Sequence, residues 1–224
     1  SQYMGVENIY YDLLDRPDFL HQIMDRMTHS IIAGIEQANA LKIHNTNTNL
    51  CHCSHIYTKA LLPDRTTEKE GVSKNCWSFA MAQLFSDVSP QITAEFEVPY
   101  ITKIASCFGA MYYGCCEKLS DRLDIVSKIP NVRKISCSPW SDVDEFAANL
   151  PKNIIMSVKP NPAFLATDSF DEAAAVEQIK TALAAAKRHH LGIEFLLKDI
   201  STVNYQPQRL TKWNELVKKE VENW

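Results

Sequence analysis

The pattern that most constrains the fold is an alternation of apolar runs and helical segments in the second half of the chain. Four short apolar, β-prone runs end in polar residues, at positions 110–117, 135–138, 154–159 and 193–199. Segments with the apolar spacing of amphipathic helices separate these runs. This repeated β/α order is typical of a parallel sheet or barrel, in which reactive groups lie at the carboxyl ends of the strands.

The composition is that of a protein with a substantial hydrophobic core. The 224 residues are 46% apolar and 22% charged, and a net charge of −4 gives no basic footprint for nucleic acid. No apolar run approaches the ~20 residues that a membrane helix needs, and no secretory signal opens the chain. Seven cysteines, an odd number, favour a reducing cytoplasm over a disulfide framework. We expect a single domain over residues 1–224.

Local signals predict where several helices begin. Ser89-Pro90 is a typical helix start, with an N-cap residue followed by proline at the first helical position. Pro99 lies inside the same segment and is expected to kink or divide the helix. Ser169 with Glu172 predicts a capping box at the start of the next long helix.

The strands are too few for a complete barrel. Four runs, with a fifth strand expected near 51–57, fall short of the eight strands of a (β/α)₈ TIM-type barrel. Residues 45–74 show little periodicity and predict a long surface loop. A sheet that lacks half its strands leaves an open edge, which favours homo-oligomers. We therefore expect an α/β barrel of which this chain supplies only the later strands, as the carboxyl-terminal part of a larger protein.

Five motifs follow one another in an order typical of one enzyme superfamily. They are Val88-Ser-Pro90, Glu95-Phe-Glu-Val-Pro-Tyr100, Tyr113-Gly-Cys-Cys-Glu117, Asn131-Val-Arg-Lys-Ile-Ser136 and Lys159-Pro-Asn-Pro162. In this order the chain resembles the uroporphyrinogen decarboxylase-like superfamily, over residues 8–222 and most strongly over 89–162. That superfamily includes the decarboxylase of haem synthesis and the corrinoid-dependent methyltransferases. The resemblance implies the (β/α)₈ barrel.

The resemblance also implies a class of reaction. In the methyltransferase branch, a His-x-Cys triplet and a cysteine of the last strand bind zinc. The matching triplet here is Tyr113-Gly114-Cys115, with tyrosine in place of histidine, and no cysteine follows Cys137. The implied function is a methyltransferase-like enzyme, zinc-assisted and linked to a corrinoid on a partner protein. The alternatives are a decarboxylase of a carboxylated, uroporphyrinogen-like ring compound and a non-catalytic barrel that binds a small molecule.

The thiols at the strand ends are the candidate metal ligands. Cys115, Cys116 and Cys137 offer the sulfur ligands that zinc prefers, and Glu117 adds a carboxylate. A zinc ion there would lower the pKa of a thiol or water. Glu117 is also a candidate catalytic group. The alternative for the cysteines is plain packing, since free cysteines are often small buried residues.

Two charged residues close the last apolar run. Asp199 is a candidate general base or metal ligand, and Lys198 is a candidate acid–base or orienting group. The alternative is an ion pair, or a cap for the turn that follows Asp199.

Four further residues are candidates for substrate contact. Lys159 would orient a carboxylate or phosphate of the substrate, and prolines on both sides hold Asn161 in a stiff frame. Trp140 would form a lid or stacking surface, and Tyr113 precedes the paired thiols. The alternatives are a rigid loop with a solvated lysine for Lys159 and a hydrophobic plug for Trp140. Asp142 is expected to cap a helix.

A second cluster of possible ligands lies in the predicted loop. Cys51-His-Cys53 with His55 has the close spacing of a metal site. No second pair at a useful spacing completes it, so we expect no site there.

Overall fold

Parallel strands alternate with helices in this protein. The computed structural model describes residues 4–46, 50–56 and 70–224. Within these residues the fold is mixed α/β, with five parallel strands in one sheet flanked by helices. The helices are α1 (Val6–Asp15), α2 (Pro17–Leu41), α3 (Pro90–Phe96), α4 (Val98–Ala105), α5 (Leu123–Val126), α6 (Val143–Asn149), α7 (Glu172–His189) and α8 (Gln208–Glu222). The strands are β1 (Leu50–Cys51), β2 (Ser54–His55), β3 (Trp77–Ala80), β4 (Ala110–Tyr113), β5 (Val132–Cys137), β6 (Ile155–Val158) and β7 (Ile193–Phe195).

The chain forms two compact units. The first contains Ser1–Glu117 and Asp124–Arg133, and the second contains Lys118–Leu123 and Lys134–Trp224. The sheet order is β3-β4-β5-β6-β7, which is also the order along the chain. None of the helices in the described part of the chain combines the length and the apolar character needed to cross a bilayer.

Helices α1 to α4 belong to the first unit. Helices α1, α2 and α3 contribute Leu13, Leu20 and Phe96 to a buried core cluster, which Phe85 completes. The Ser89 hydroxyl accepts a hydrogen bond from the backbone N–H of Ile92, so α3 starts as the Ser-Pro pair predicts. Helix α3 ends at Phe96 and α4 begins at Val98. The predicted division of this helix near Pro99 is confirmed.

Strands β3 and β4 pair in parallel, with Trp77 opposite Ala110 and Ala80 opposite Tyr113. Their carboxyl ends therefore lie side by side. The fifth strand of the sheet is β3, so its predicted position near 51–57 is wrong. Residues 50–55 instead form the short antiparallel hairpin β1–β2, because the chain reverses at residues 52 and 53. Residues 47–49 and 57–69 of the predicted loop lie outside the described residues.

Strands β5, β6 and β7 belong to the second unit from Lys134 onward. They pair in parallel, with Cys137 opposite Val158 and Val158 opposite Phe195. The side chains of Phe164, Leu165, Ala175 and Trp213 form a buried cluster of this unit. The carboxyl ends of β5, β6 and β7 therefore lie along the same edge of the sheet. Cys137 is the last residue of β5.

Two aspartates cap the starts of α6 and α7 in this unit. The Asp142 carboxylate accepts backbone N–H bonds from Asp144 and Glu145 at 3.0 and 2.9 Å, which confirms its predicted role as a cap of α6. The predicted capping box at Ser169 is wrong. Asp171 caps α7 instead, accepting the N–H of Ala174 at 2.9 Å, because it directly precedes the first helical residue.

Candidate functional site

Three thiols and an imidazole lie together in the first unit. The Cys115 and Cys116 sulfurs are 3.5 Å apart. His52 Nε2 lies 4.0 Å from Cys115 Sγ, and His52 Nδ1 lies 3.0 Å from Cys53 Sγ. We call these four residues the thiol–imidazole cluster. An imidazole beside a thiol is the arrangement that activates cysteine nucleophiles.

The end of β4 determines where the paired thiols lie. The strand stops at Tyr113, and Gly114 has φ of 91°, in the left-handed region that favours glycine. Its N–H donates to the carbonyl of Ala80 at 2.8 Å, which ties the turn to β3. In a continuous strand, Cys115 and Cys116 would point to opposite faces. The turn instead brings both sulfurs together.

The hairpin β1–β2 supplies the imidazole. His52 lies at its tip with φ of 56°, and the His52 ring stacks on Phe79 of β3 with centroids 4.0 Å apart. The Cys51 thiol donates to the carbonyl of Ser78 at 3.2 Å, so the hairpin is held against β3. These contacts direct one ring nitrogen of His52 toward Cys115 and the other toward Cys53.

Glu117 stabilises the turn that carries the thiols. It is 5% exposed, and its two carboxylate oxygens accept backbone N–H bonds from Cys115 at 2.9 Å and from Ala82 at 3.3 Å. The carboxylate is thus oriented toward the backbone of its own turn. Tyr113 is fully buried, and its hydroxyl donates to Glu97 Oε1 at 2.6 Å.

The described residues assemble no metal site. Across residues 4–46, 50–56 and 70–224, no three His, Cys, Asp or Glu side chains are grouped so that they could hold a metal ion. Both oxygens of Glu117 accept backbone N–H bonds, and Cys53 lies on the Nδ1 side of His52, whereas Cys115 lies on the Nε2 side. Zinc therefore stays an implication of the family resemblance.

A cavity in the second unit contains two of the predicted substrate contacts. Lys159, which is 3% exposed, and Asn161 line a cavity of about 310 Å³. The other lining residues come from the segment after β5, the start of α6, the end of β6 with the residue pair after it, and one side of α7: Ser138, Pro139, Val143, Val158, Pro160, Glu177, Gln178 and Thr181. We call this the Lys159 cavity.

Cys137 is a different kind of cysteine from those of the cluster. It is fully buried, and burial raises the pKa of its thiol to about 12, with a further increase from the charge of Asp142. Ser141 and Lys159 act in the opposite direction but more weakly. At neutral pH Cys137 is a protonated thiol.

The remaining candidates belong to the second unit, where Trp140 and Asp199 are exposed and Lys198 is half-buried. Trp140 is 70% exposed. Lys198 Nζ lies 3.7 Å from Asp199 Oδ1, and Asp199 adopts a left-handed φ of 58°. The ion pair that the sequence left open as an alternative is present.

The structure places the ten predicted residues in two groups. Tyr113, Cys115, Cys116 and Glu117 follow one another at the end of β4 in the first unit. The second unit holds Cys137, Trp140, Lys159, Asn161, Lys198 and Asp199. Sequence reasoning missed His52 and Cys53, although the Cys51-His-Cys53 spacing was the available signal. It also missed the residues of α7 that line the Lys159 cavity.

The fold and the cluster together define a class: a mixed α/β protein with a parallel sheet and a thiol–imidazole group where one strand ends. No family model, curated protein or solved structure matches the chain.

Proposed function

We propose that this protein is a methyltransferase-like enzyme of the uroporphyrinogen decarboxylase-like type, with the thiol–imidazole cluster as its reacting centre. Cys115 is the nucleophile and His52 is its base. The observation that carries the proposal is the 4.0 Å separation of His52 Nε2 and Cys115 Sγ. The eight-stranded barrel, zinc and a corrinoid on a separate protein come with the family resemblance, and the step below needs only Cys115 and His52.

His52 supplies an imidazole that the family motif would place at position 113. The motif places histidine two residues before the cysteine, where this chain has Tyr113. Tyr113 is buried and bonded to Glu97, whereas His52 presents an imidazole to the same cysteine from the hairpin. A different segment of the chain thus supports the same pairing of imidazole and thiol.

The proposed step is a nucleophilic substitution at a methyl group. His52 Nε2 takes the proton from Cys115 Sγ, because the thiolate and not the thiol is the nucleophile. The sulfur then forms a bond to the methyl carbon of an electrophilic donor, and the leaving group departs with the electron pair of the broken bond. Distances between catalytic groups are often long before substrate binds, and the 4.0 Å separation must shorten for this proton transfer.

The surroundings of Cys115 are nearly closed to water, so the proposed chemistry depends on the His52 imidazole beside its sulfur. The side chain is 3% exposed, so bulk water is largely kept from the sulfur. Charge–charge interactions are stronger where water is excluded, and a Cys115 thiolate beside a protonated His52 gains from that. Cys116, which is half-buried, places a second thiol 3.5 Å from this sulfur.

The test measures which cysteine accepts a methyl group. Purified protein is treated with methylcobalamin or methyl iodide, and methylated cysteines are mapped by peptide mass spectrometry. We expect Cys115 to react fastest, and His52→Gln to slow that reaction by about a hundredfold, the usual contribution of a general base. Cys107→Ser is the matched control, since Cys107 lies on another segment and bonds to Lys103.

Two outcomes would contradict the proposal. One is methylation of Cys115 no faster than that of Cys107. The other is an unchanged rate in His52→Gln. The decarboxylase alternative predicts the reverse pattern, in which Lys159→Met abolishes turnover and the Cys115 and Cys116 variants retain it.

A further inference from the structure

Helix α2 presents an apolar stripe that its neighbours cover only in part. Leu20, Ile23, Met27 and Ile31 recur at intervals of three or four residues, so they lie on one side of the helix. Leu20 belongs to the core cluster of the first unit and is 6% exposed, whereas Met27 and Ile31 are 44% and 46% exposed. The stripe thus passes from the core at Leu20 to an open surface at Met27 and Ile31.

Two adjoining cavities follow this stripe. The inner cavity has a volume of about 140 Å³, and its lining is wholly apolar, with residues from α1, α2, α3 and the segment before α3. The outer cavity, of about 570 Å³, is lined by Met4 and by residues of α2. Met4, Ile23 and Met27 line both cavities. We call the two cavities together the α2 groove. All of its lining residues belong to the first unit.

The inner cavity is suited to hydrocarbon. An apolar cavity of about 150 Å³ stays free of water and can hold a molecule of the size of benzene. Met4, Met24 and Met27 are among its lining residues, and the flexible side chain of methionine adapts to the shape of a ligand. The cavity is too small for a helix, which is about 10–12 Å across with its side chains, but it admits a single alkyl chain.

One positive charge lies in the outer cavity. Among the described residues that line the α2 groove, Arg26 is the only charged one, and it is exposed. Arg26 forms no ion pair within residues 4–46, 50–56 and 70–224. The acid next to it in sequence, Asp25, pairs instead with Lys103 at 3.0 Å. The planar guanidinium of Arg26 is therefore available to pair with both oxygens of a carboxylate.

We propose that the α2 groove binds a free, unbranched fatty acid. The alkyl chain lies along Ile23 and Met27 with its end in the inner cavity, and the carboxylate pairs with Arg26. A groove that is apolar in its depth and positively charged at its exposed side matches a ligand that is apolar except for one negative end. This site shares no residue with the thiol–imidazole cluster, so it is additional to the proposed methyl transfer.

The test uses methionine methyl groups as reporters on the full chain. All six methionines are labelled with carbon-13 at the methyl group, and decanoate is added below the concentration at which it forms micelles. We expect the NMR signals of the three methionines in the groove to shift and to saturate. Met111 is fully buried in β4 and should not respond. Met81 is 46% exposed outside the groove, so its signal reports adsorption to the surface.

Chain length tests the burial of the alkyl chain. Octanoate is shorter than decanoate by two CH₂ groups and carries the same charge. We expect octanoate to bind about fifteenfold more weakly, because each buried CH₂ group changes the affinity by about fourfold. Equal affinities of the two acids would show that the alkyl chain stays in water, which contradicts the proposal.

A change in the sign of the charge tests the role of Arg26. Decylammonium has a chain of the same length with a positive end, and it should bind about tenfold more weakly than decanoate. Attraction to an exposed charge and repulsion from it each change the affinity by about threefold. Arg26→Glu should reverse this preference. Lys128→Glu makes the same change in net charge at another exposed position of the first unit and should leave the preference unchanged.

Four further results would overturn the inference. The first is that decanoate leaves the signals of Met24 and Met27 unshifted. The second is that Met81 responds as strongly as Met27, which would show adsorption to the surface only. The third is that Arg26→Glu still prefers decanoate. The fourth is that the signals of the groove shift when the protein concentration alone is raised, which would assign the groove to a second copy of this chain. None of these results depends on whether Cys115 accepts a methyl group.

Discussion

At the scale of single residues, the cysteines at strand ends differ in what surrounds them. Cys137 closes β5 inside the second unit, where burial favours its neutral form. Cys115 follows β4 beyond a glycine turn, where His52 approaches its sulfur. The same residue type at similar positions is therefore an inert core thiol in one place and the proposed nucleophile in the other.

The raised pKa of Cys137 makes stability depend on pH above 9. An unfolded cysteine loses its proton near its ordinary pKa of 9.0, whereas the folded thiol holds its proton up to about 12. The unfolded state is thus stabilised as pH rises from 9 toward 12, by about 1.4 kcal/mol for each pH unit. The contribution is fully present below pH 9.

The check is urea unfolding of the protein and of Cys137→Ala at pH 7, 9 and 10.5. We expect the free energy of unfolding of the unmodified protein to fall more steeply above pH 9 than that of Cys137→Ala. Lysines and tyrosines titrate in both proteins, so the difference in slope isolates Cys137. Parallel slopes would show that this thiol ionises normally in the folded protein.

Gly114 and Gly34 provide a matched pair of substitutions. Gly114→Ala forces a Cβ into a left-handed conformation with φ of 91°, which costs about 1–2 kcal/mol. Gly34 lies within α2, and a Cβ added there would meet nothing within 4 Å. Gly34→Ala should therefore stabilise the protein by about 1 kcal/mol, through higher helix propensity. Chemical denaturation measures both, and equal effects of the two changes would contradict the assigned turn.

At the scale of elements, one buried arginine fixes α8 to the turn before α7. Arg209 is 2% exposed, and its guanidinium donates to the carbonyls of Leu165, Thr167 and Asp168 at 2.7, 2.5 and 2.8 Å. We expect Arg209→Met to lower the free energy of unfolding by about 3 kcal/mol, because three carbonyls, of which that of Leu165 is buried, lose their charged donor. Thermal and urea unfolding report the change.

Lys212→Met is the control on the same helix. Lys212 pairs with Glu172 at 3.4 Å, and both side chains are about half exposed. Exposed ion pairs contribute about 1 kcal/mol or less, so this variant should be close to the unmodified protein. If both variants lose the same stability, the guanidinium contacts of Arg209 do not hold the helix.

Most elements could be predicted from local signals in the sequence. The Ser89-Pro90 start and the division near Pro99 follow from the chemistry of one or two residues, and the structure confirms both. The cap of α7 was misassigned because Ser169 and Asp171 carry similar signals, and only the backbone path selects Asp171. Strand β3 was missed because its large apolar residues, Trp77 and Phe79, lie on the half-buried face and the small Ser78 and Ala80 lie on the buried face, so the usual pattern of apolar residues facing the core is absent.

The cluster could be predicted only in part. Cys115 and Cys116 stand out because they follow a short apolar run. His52 is 63 residues from Cys115 in the sequence, and no local pattern joins them. Their proximity depends on the hairpin packing on β3 through Cys51 and on the ring stacking of His52 with Phe79. Long-range contacts of this kind arise from tertiary packing.

At the scale of the whole molecule, the chain passes between the two units more than once, so each unit is built from two segments. Lys118–Leu123 belongs to the second unit, and the chain then returns to the first unit for Asp124–Arg133 before entering the second again. A single cut of the chain therefore cannot separate the units. The returning segment carries three buried apolar side chains, those of Val126, Ile129 and Val132.

The assignment of Asp124–Arg133 to the first unit predicts how fragments of that unit behave. Asn131 Nδ2 donates to the carbonyl of Phe108 at 2.9 Å, and the Asn131 carbonyl accepts the N–H of Met111 in β4 at 2.8 Å. Burial of a Val or Ile side chain contributes about 1.5–3 kcal/mol, so losing three approaches the total stability of a small domain, about 5–15 kcal/mol.

Fragment 1–133 should unfold cooperatively in urea, and fragment 1–117 should show no cooperative transition by circular dichroism. In fragment 1–133 carrying Asn131→Gly, the glycine can still adopt the left-handed φ of 64°, but the side-chain hydrogen bonds of Asn131 are lost. The urea concentration at its unfolding midpoint should therefore be lower than that of fragment 1–133. Equal midpoints for 1–117 and 1–133 would show that the returning segment contributes nothing to the first unit.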